Sequence, residues 1–329
     1  MNLHDIAREA GVSTATVSRV INGSTLVVEE TRKKVQAVID KHRYTPNALA
    51  RGLIQKSTKA IGVLTVDIRS PYFSSVVHSV ERELKQLGYN IFLCNTGGNL
   101  EEKIQYITAL MERKADGLVF VGSIYKEKEH NRHIIEAAAK VPVILLNNHI
   151  RGFNIYSLLC DDAKGIYDAT RFMLDQGKRN LIYIHSSSTF SGRSKRKGFR
   201  QALKDSCMNT ANARILTAVP HKDSMIEKIK LEYEKDPFDG VLTSDDIYAN
   251  QTISALNSIK VDIPGTVAVM GYNNSSICDY TYPALSSVDS CMNELGIQGG
   301  RLLDGILNGR IPEKQILFLP PKLVLRETT

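Results

Sequence analysis

Residues 3–23, LHDIAREAGVSTATVSRVING, carry the stretch on which the reading of this chain turns. It predicts a short helix, a glycine turn and a second helix, the pairing that DNA-reading modules set against the major groove. Asn2 is placed to cap the first helix, with Asp5 in its opening turn facing the positive end of the helix dipole. Gly11 ends that helix, because the residue after a helix often takes the left-handed conformation that glycine adopts at little cost. Ser13 caps the second helix, and Val12 with Val17 have the spacing of a hydrophobic staple. With Ile6, Ala7, Ala10, Val17, Val20 and Ile21 turned inward, Ser13, Thr14, Ala15, Thr16, Ser18 and Arg19 are left for phosphates and base edges. Two short amphipathic helices joined through glycine also occur in many helical proteins, so the surroundings have to decide.

The next segment, EETRKKVQAVIDKHRYTPNALARGLIQKSTK, supplies a third helix from about Glu29 to Arg43 and a short piece opening with Thr45-Pro46. Together, residues 2–58 resemble the DNA-binding headpiece of the LacI/GalR family of bacterial transcription regulators. The match runs through D-I-A-x-x-A-G-V-S-x-x-T-V-S-R-V-x-N-G, then E-T-R-x-x-V, then Y-x-P-N-x-x-A-R-x-L. It continues through SPYF at 70–73, ADGLVFVGS at 115–123, TSDDIYANQTISAL at 243–256, VAVMGYNN at 267–274, YPALSSV at 282–288 and LPPKLVLRET at 319–328. The resemblance implies sequence contacts from Arg19 and Thr14, a further contact from Asn22, and a hinge whose Asn47, Ala50, Arg51 and Leu53 also meet DNA. Arg51 would hold phosphates, and Leu53 would wedge open the central base step.

Charge and composition fit. Residues 1–59 hold ten Lys or Arg against five Asp or Glu, so +5 of the whole-chain +7 lies where phosphates would be. The five cysteines are scattered with no C-x-x-C pair, which suggests neither a zinc site nor a disulfide framework. With no signal peptide and no membrane-length apolar run, the expected location is the bacterial cytoplasm, on the nucleoid when bound to operator, with no membrane partner.

Beyond Lys59 the pattern becomes apolar strands alternating with amphipathic helices, the sign of parallel sheets covered on both faces. Strands are expected at 60–66, 91–95, 117–121, 143–147, 181–185, 240–244 and 267–271. The fold class is therefore an all-α headpiece plus an α/β body. The resemblance makes that body two-lobed and periplasmic-binding-protein-like, with two doubly wound parallel sheets and a ligand in the cleft. It implies a headpiece at 1–45, a hinge helix and linker at 46–59, and a body at 60–329. The first lobe would cover about 60–160 and 290–319, the second about 161–289 and 320–329, with crossovers near Cys160-Asp161, Val288-Asp289 and Leu319-Pro320.

Matching positions nominate Tyr72, Phe73, Ser123 and Asn147 from the first lobe and Lys195, Asp246 and Asn273 from the second as effector-binding residues, with Arg193 nearby. Each has an ordinary alternative: Phe73 fits a core, Asp246 a helix cap, Ser123 a turn. The segment GRSKRKGF at 192–199 reads either as a solvated basic loop leading into a helix or as a contact set for a polar ligand. Lys195 stands where the family commonly has Arg, and Asn273 where sugar-binding relatives carry Asp. Those changes, with Arg193, Arg196 and Lys197, point to an effector that is a sugar derivative of acidic or phosphorylated type.

No dinucleotide turn, phosphate loop, nucleophile elbow or H-E-x-x-H helix is present, so no enzyme activity, cofactor or metal is expected. The expectation is a homodimeric repressor that reads a near-palindromic duplex and senses a small molecule. A stand-alone carbohydrate-binding protein or an α/β enzyme with an accessory headpiece are the competing readings.

Overall fold

A computed structural model describes residues 2–21, 24–42, 57–127, 131–186, 188–208, 213–219 and 221–329. The chain divides into two units, Met1–Thr58 and Lys59–Thr329. The first unit holds α1 (Leu3–Glu9), α2 (Thr14–Ile21) and α3 (Glu29–Lys41). Asn2 closes a capping box with Asp5: its side chain accepts from the Asp5 amide, and the Asp5 carboxylate accepts from the Asn2 amide. Gly11 takes φ +67, the left-handed turn that separates the two helices. Ser13 Oγ accepts from the Thr16 amide at 3.2 Å and so caps α2. Ile6, Ala7, Val17, Val20 and Val35 form the core, with Val12 packed against it.

The second unit is built on two six-stranded sheets. The first contains β1 (Ala60–Thr65), β2 (Asn90–Asn95), β3 (Gly117–Val121), β4 (Val143–Leu146), β5 (Ile155–Cys160) and, near the end of the chain, β11 (Ile316–Leu319), in the order β11-β5-β4-β3-β1-β2. The second contains β6 (Leu181–His185), β7 (Arg214–Thr217), β8 (Gly240–Thr243), β9 (Ala268–Asn273), β10 (Ser286–Asp289) and β12 (Lys322–Val324), in the order β12-β10-β9-β8-β6-β7. Every residue of β1, β3, β4, β5, β6, β8 and β9 is buried, which is why these strands read as continuous apolar runs and not as alternations.

Helices cover the sheets. In the first lobe these are α4 (Pro71–Gln86), α5 (Leu100–Glu112) and α6 (Arg132–Ala138); in the second, α7 (Asp162–Asp175), α8 (Phe190–Asp205), α9 (Lys222–Lys235), α10 (Asp246–Ser258) and the short α11 (Ile277–Tyr280). The last helix, α12 (Met292–Leu307), returns to pack on α4 of the first lobe. Gly296 makes that possible, because an added Cβ would lie 2.8 Å from the Val76 carbonyl oxygen and 2.9 Å from the Val80 nitrogen. The two parallel sheets expected are present, with one antiparallel pair at the edge of the second. β12 pairs antiparallel with β10, entering the second sheet from β11 of the first across Pro320 and Pro321.

The chain passes between the lobes three times: from Cys160 into α7, from Asp289 into α12, and from Leu319 to Lys322. All three crossings lie at the carboxyl ends of β5, β10 and β11, the edge where ligands of open α/β sheets bind.

Candidate functional site

Between the lobes lies a cavity of about 270 Å³. The first lobe contributes Val66 after β1, Tyr72 and Phe73 from the first turn of α4, Gly122, Ser123 and Ile124 after β3, and Asn147 after β4. From the second lobe come Ser186 after β6, Thr189, Ser191, Gly192 and Lys195 from the start of α8, Ser244 and Asp245 after β8, and Asn273 at the end of β9. Ser123 Oγ donates to Thr189 Oγ1 at 2.9 Å, a hydrogen bond from one lobe to the other.

The aromatic wall is built by packing. Tyr72 and Phe73 meet edge to face, with ring centroids 5.3 Å apart. Gly122, at φ +112, lets the Phe73 ring lie against the backbone, for a Cβ there would stand 2.5 Å from Phe73 Cε1. The Tyr72 hydroxyl interacts with Asn147, but neither Tyr72 Oη nor Asn147 Oδ1 has a hydrogen bond of good geometry. Asn147 itself is held at φ +56. Two polar atoms of lining residues are thus buried with hydrogen-bonding capacity to spare.

The opposite wall carries charge of both signs. Lys195 is only 6 % exposed; its ammonium donates to the Ser244 carbonyl at 3.0 Å and sits over the Tyr272 ring. Asp245 caps α10, accepting from the Ile247 amide at 2.9 Å, and also accepts from Asn273 Nδ2 at 2.9 Å. Burial raises the Asp245 pKa, while the Ile247 amide, Lys195 and Asn273 pull it back. Asn273 Oδ1 is taken by the Ser290 hydroxyl, so this residue serves mainly to orient Asp245.

Two nominated residues do not line the cavity. Asp246 is buried on the far side of its backbone, where Oδ1 accepts from Ser287 Oγ at 2.6 Å and Oδ2 from the Ser275 amide at 2.8 Å. Its neighbour Asp245 takes the place foreseen for it, because consecutive residues at a helix start point about 100° apart and only one can face the cleft. Arg193 is exposed and donates to the Ser188 carbonyl. Residues 192–199 lie within α8, and two positions on a helix are about 200° apart, so burying Lys195 turns Arg193 outward. Arg196 and Lys197 are likewise absent from the lining, which removes the premise of a convergent basic cluster.

In the headpiece, Ala15 and Arg19 are exposed on α2, Thr14, Thr16 and Ser18 are half-buried, and Ser13 Oγ lies 2.9 Å from Thr16 Oγ1. Asn22, Asn47, Ala50, Arg51 and Leu53 lie outside the described residues.

Comparison with known proteins puts these two sites in one context. Residues 2–47 match the model for bacterial regulatory proteins of the lacI family, and residues 170–329 match that of the periplasmic binding protein-like domain. An HTH-type transcriptional regulator of Lachnoclostridium phytofermentans is 35% identical over 334 residues, spanning 100% of this chain and 99% of that relative. The chain belongs to the LacI/GalR family of bacterial transcription regulators.

As a LacI/GalR protein it is a DNA-binding transcription regulator with an effector-binding body, not an enzyme. Its fold is that of the lac repressor dimer bound to operator and the anti-inducer ONPF, with a TM-score of 0.88 at 22% identity over 100% of this chain and 98% of that one. A LacI family regulator from Enterococcus faecium with bound ribose superposes with a TM-score of 0.72 at 25% identity, covering 82% of this chain and 98% of that one. Among the described residues, no helix is long and apolar enough to cross a membrane.

Residue-level reading of the family pattern missed Ser186, Thr189, Ser191, Ser244 and Asp245. Thr189 had a legible signal, since it caps α8 and its side chain accepts from the Gly192 amide. Ser186 and Ser244, whose hydroxyls lie 3.2 Å apart, had none, because their pairing depends on β6 and β8 being neighbours.

Proposed function

We propose that this protein is a cytoplasmic, homodimeric repressor whose hold on a near-palindromic operator is set by an uncharged, polyhydroxylated effector of monosaccharide size in the interlobe cavity. The observation that carries the reading is the composition of the cavity walls. One wall offers the Phe73 and Tyr72 rings, which suit the apolar face of a sugar; the other offers Asp245 to accept from hydroxyls and Lys195 to donate to them. A single ammonium facing a carboxylate leaves no excess positive charge for a phosphate, so the acidic effector expected earlier gives way to a neutral one. The cavity, about 270 Å³, is smaller than the roughly 300 Å³ at which drug-sized sites begin. The ribose bound by the Enterococcus faecium regulator belongs to the same chemical class.

The headpiece supports the operator half of the reading. A single helix-turn-helix offers little contact area, and two related by a twofold axis read half-sites one helical turn apart. Effector contacts made by both lobes change the energy of lobe closure, and that is the coupling through which the ligand alters DNA affinity.

Calorimetry of the purified protein against neutral pentoses and hexoses, and against their phosphates and acids, tests the effector class. Binding by a neutral sugar, with the charged derivatives silent, is expected. Tight binding of sugar phosphates alone would overturn the assignment. Fluorescence anisotropy with duplexes from upstream of the gene, with and without the bound sugar, tests the regulator: no preference over random duplex at moderate salt would overturn it.

A further inference from the structure

Two cysteines 131 positions apart in sequence meet where the chain crosses between the lobes. Cys160 ends β5 in register with Leu319 of β11, and the Asp161 amide donates to the Leu319 carbonyl at 3.1 Å. Cys291 precedes α12 in the left-handed conformation, φ +59, and its thiol donates to the Pro320 carbonyl at 3.1 Å. One sulfur is therefore on the first crossing, the other on the second, and both are tied to the third. Both cysteines are thus held against the same short segment, Leu319–Pro320, and neither is in a disulfide.

Their surroundings divide the roles between them. Cys160 is 3 % exposed and its sulfur lies 3.8 Å from the Tyr272 hydroxyl, while Cys291 retains 7 % exposure at the head of a 16-residue helix. The hydrogen bond from Cys160 holds the Cys291 thiol below its ordinary pKa, and Lys322 adds to this, whereas burial and Asp289 oppose it. The same hydrogen bond and burial push the Cys160 thiol up. The thiolate is the nucleophile in oxidation, and Cys291, the more exposed of the two and at the N-terminus of α12, reacts first. Of the other cysteines, Cys94 and Cys278 sit in separate cores and Cys207 is exposed.

We propose that Cys160 and Cys291 form a reversible disulfide on exposure to a hydroperoxide, clasping two of the three crossings and restricting rotation of the lobes. The Cys291 thiolate attacks a peroxide oxygen; the O–O bond breaks, giving a sulfenic acid and a hydroxide or alkoxide that takes up a proton. The Cys160 sulfur then attacks the Cys291 sulfur. An S–S bond forms, the S–O bond breaks, and water leaves carrying the thiol proton. With hydrogen peroxide, two thiols and one peroxide become one disulfide and two waters. Reduction by a small thiol proceeds by exchange through a mixed disulfide. The crossings are the segments that must change backbone angles when the lobes open, so tying two together removes freedom from the hinge. A reversible disulfide in a reducing compartment is of the transient, sensing kind.

The test uses the full chain carrying Cys207→Ser, which removes the exposed thiol, treated with hydrogen peroxide. Intact mass should fall by two hydrogen atoms, a Cys160–Cys291 peptide should appear in a non-reducing digest, and dithiothreitol should restore the original mass. Adding Cys160→Ser should stop the reaction at a sulfenic acid on Cys291, trapped by dimedone. Amide hydrogen exchange around residues 158–164 and 288–292 should slow on oxidation by at least roughly tenfold and recover on reduction. Full alkylation of both thiols after peroxide and unfolding, a cross-link to Cys94 or Cys278, or unchanged exchange at the crossings would each overturn the proposal.

Discussion

The Lys195 ammonium lies 3.5 Å from the centroid of the Tyr272 ring. The ring is fully buried, and its hydroxyl donates to Asp162 Oδ1 at 2.6 Å, so the wall of the cavity is continuous with the start of α7 at the first crossing. A buried cation needs such company: the aromatic face and the Ser244 carbonyl replace hydration that Lys195 loses. Tyr272 thereby links the chemistry of the cavity to the first crossing between the lobes.

Replacing Lys195 with Ala should weaken effector binding roughly ten- to a hundred-fold, the equivalent of one charge-assisted hydrogen bond of about 1.5–3 kcal/mol. Operator affinity of the empty protein should be unchanged, because the headpiece is a separate unit. Titration calorimetry and anisotropy check the two halves. A lowered melting temperature with unaltered effector affinity would mean that Lys195 only supports the wall.

Tyr272→Phe keeps the ring over Lys195 and deletes the hydroxyl on Asp162 and Cys160. Effector affinity should stay within about threefold while the change in operator affinity on effector binding shrinks. Equal loss in both measurements would assign Tyr272 to ligand binding instead.

Asp245 and Asp246 should separate cleanly. Asp245→Asn should cost effector affinity, whereas Asp246→Asn should alter the pH dependence of stability. Burial raises the Asp246 pKa from 3.8 to about 6, with Ser287 and Ser275 opposing. The native state therefore keeps a proton that the unfolded chain has released, so the stability difference between wild type and variant is largest in favour of wild type below about pH 4. It should fall by about 3 kcal/mol as the pH rises to 6 and stay level above. Urea unfolding at a series of pH values measures it, and parallel curves for the two proteins would contradict the burial of this carboxyl.

Gly198→Ala should destabilise the body by about 3 kcal/mol or more. α7 and α8 approach so closely that the new Cβ would sit 2.1 Å from the Ala163 carbonyl oxygen, a backbone atom that cannot rotate away. Thermal unfolding reads the effect directly.

In the headpiece, Arg19→Ala should erode discrimination between operator and random duplex by about 1–3 kcal/mol, since a bidentate contact to a base edge specifies more than it attracts. Ser13→Ala should instead cost about 1 kcal/mol of headpiece stability through loss of the cap on Thr16. Anisotropy at several salt concentrations distinguishes them: a uniform loss on all sequences from Arg19→Ala would reassign it to the phosphates.

Local chemistry made much of this protein legible from its sequence. Capping at Asn2 and Ser13, the left-handed turn at Gly11 and the continuous apolar strands each rest on residues close together in the chain, so helices, strands and the alternation of the body follow from sequence order. The family pattern likewise carried Tyr72, Phe73, Ser123, Asn147, Lys195 and Asn273 to one cavity. What it could not supply was direction. Whether Asp245 or Asp246 faces the cleft depends on the angle at which α10 leaves β8, and whether Arg193 or Lys195 does depends on which face of α8 packs on α7. The scattered cysteines carried no pairing signal, because only the return of three crossings to one place sets Cys160 beside Cys291. Contacts between residues hundreds of positions apart are made by the packing of whole elements, and that packing is a property of the assembled sheets, not of any segment within them.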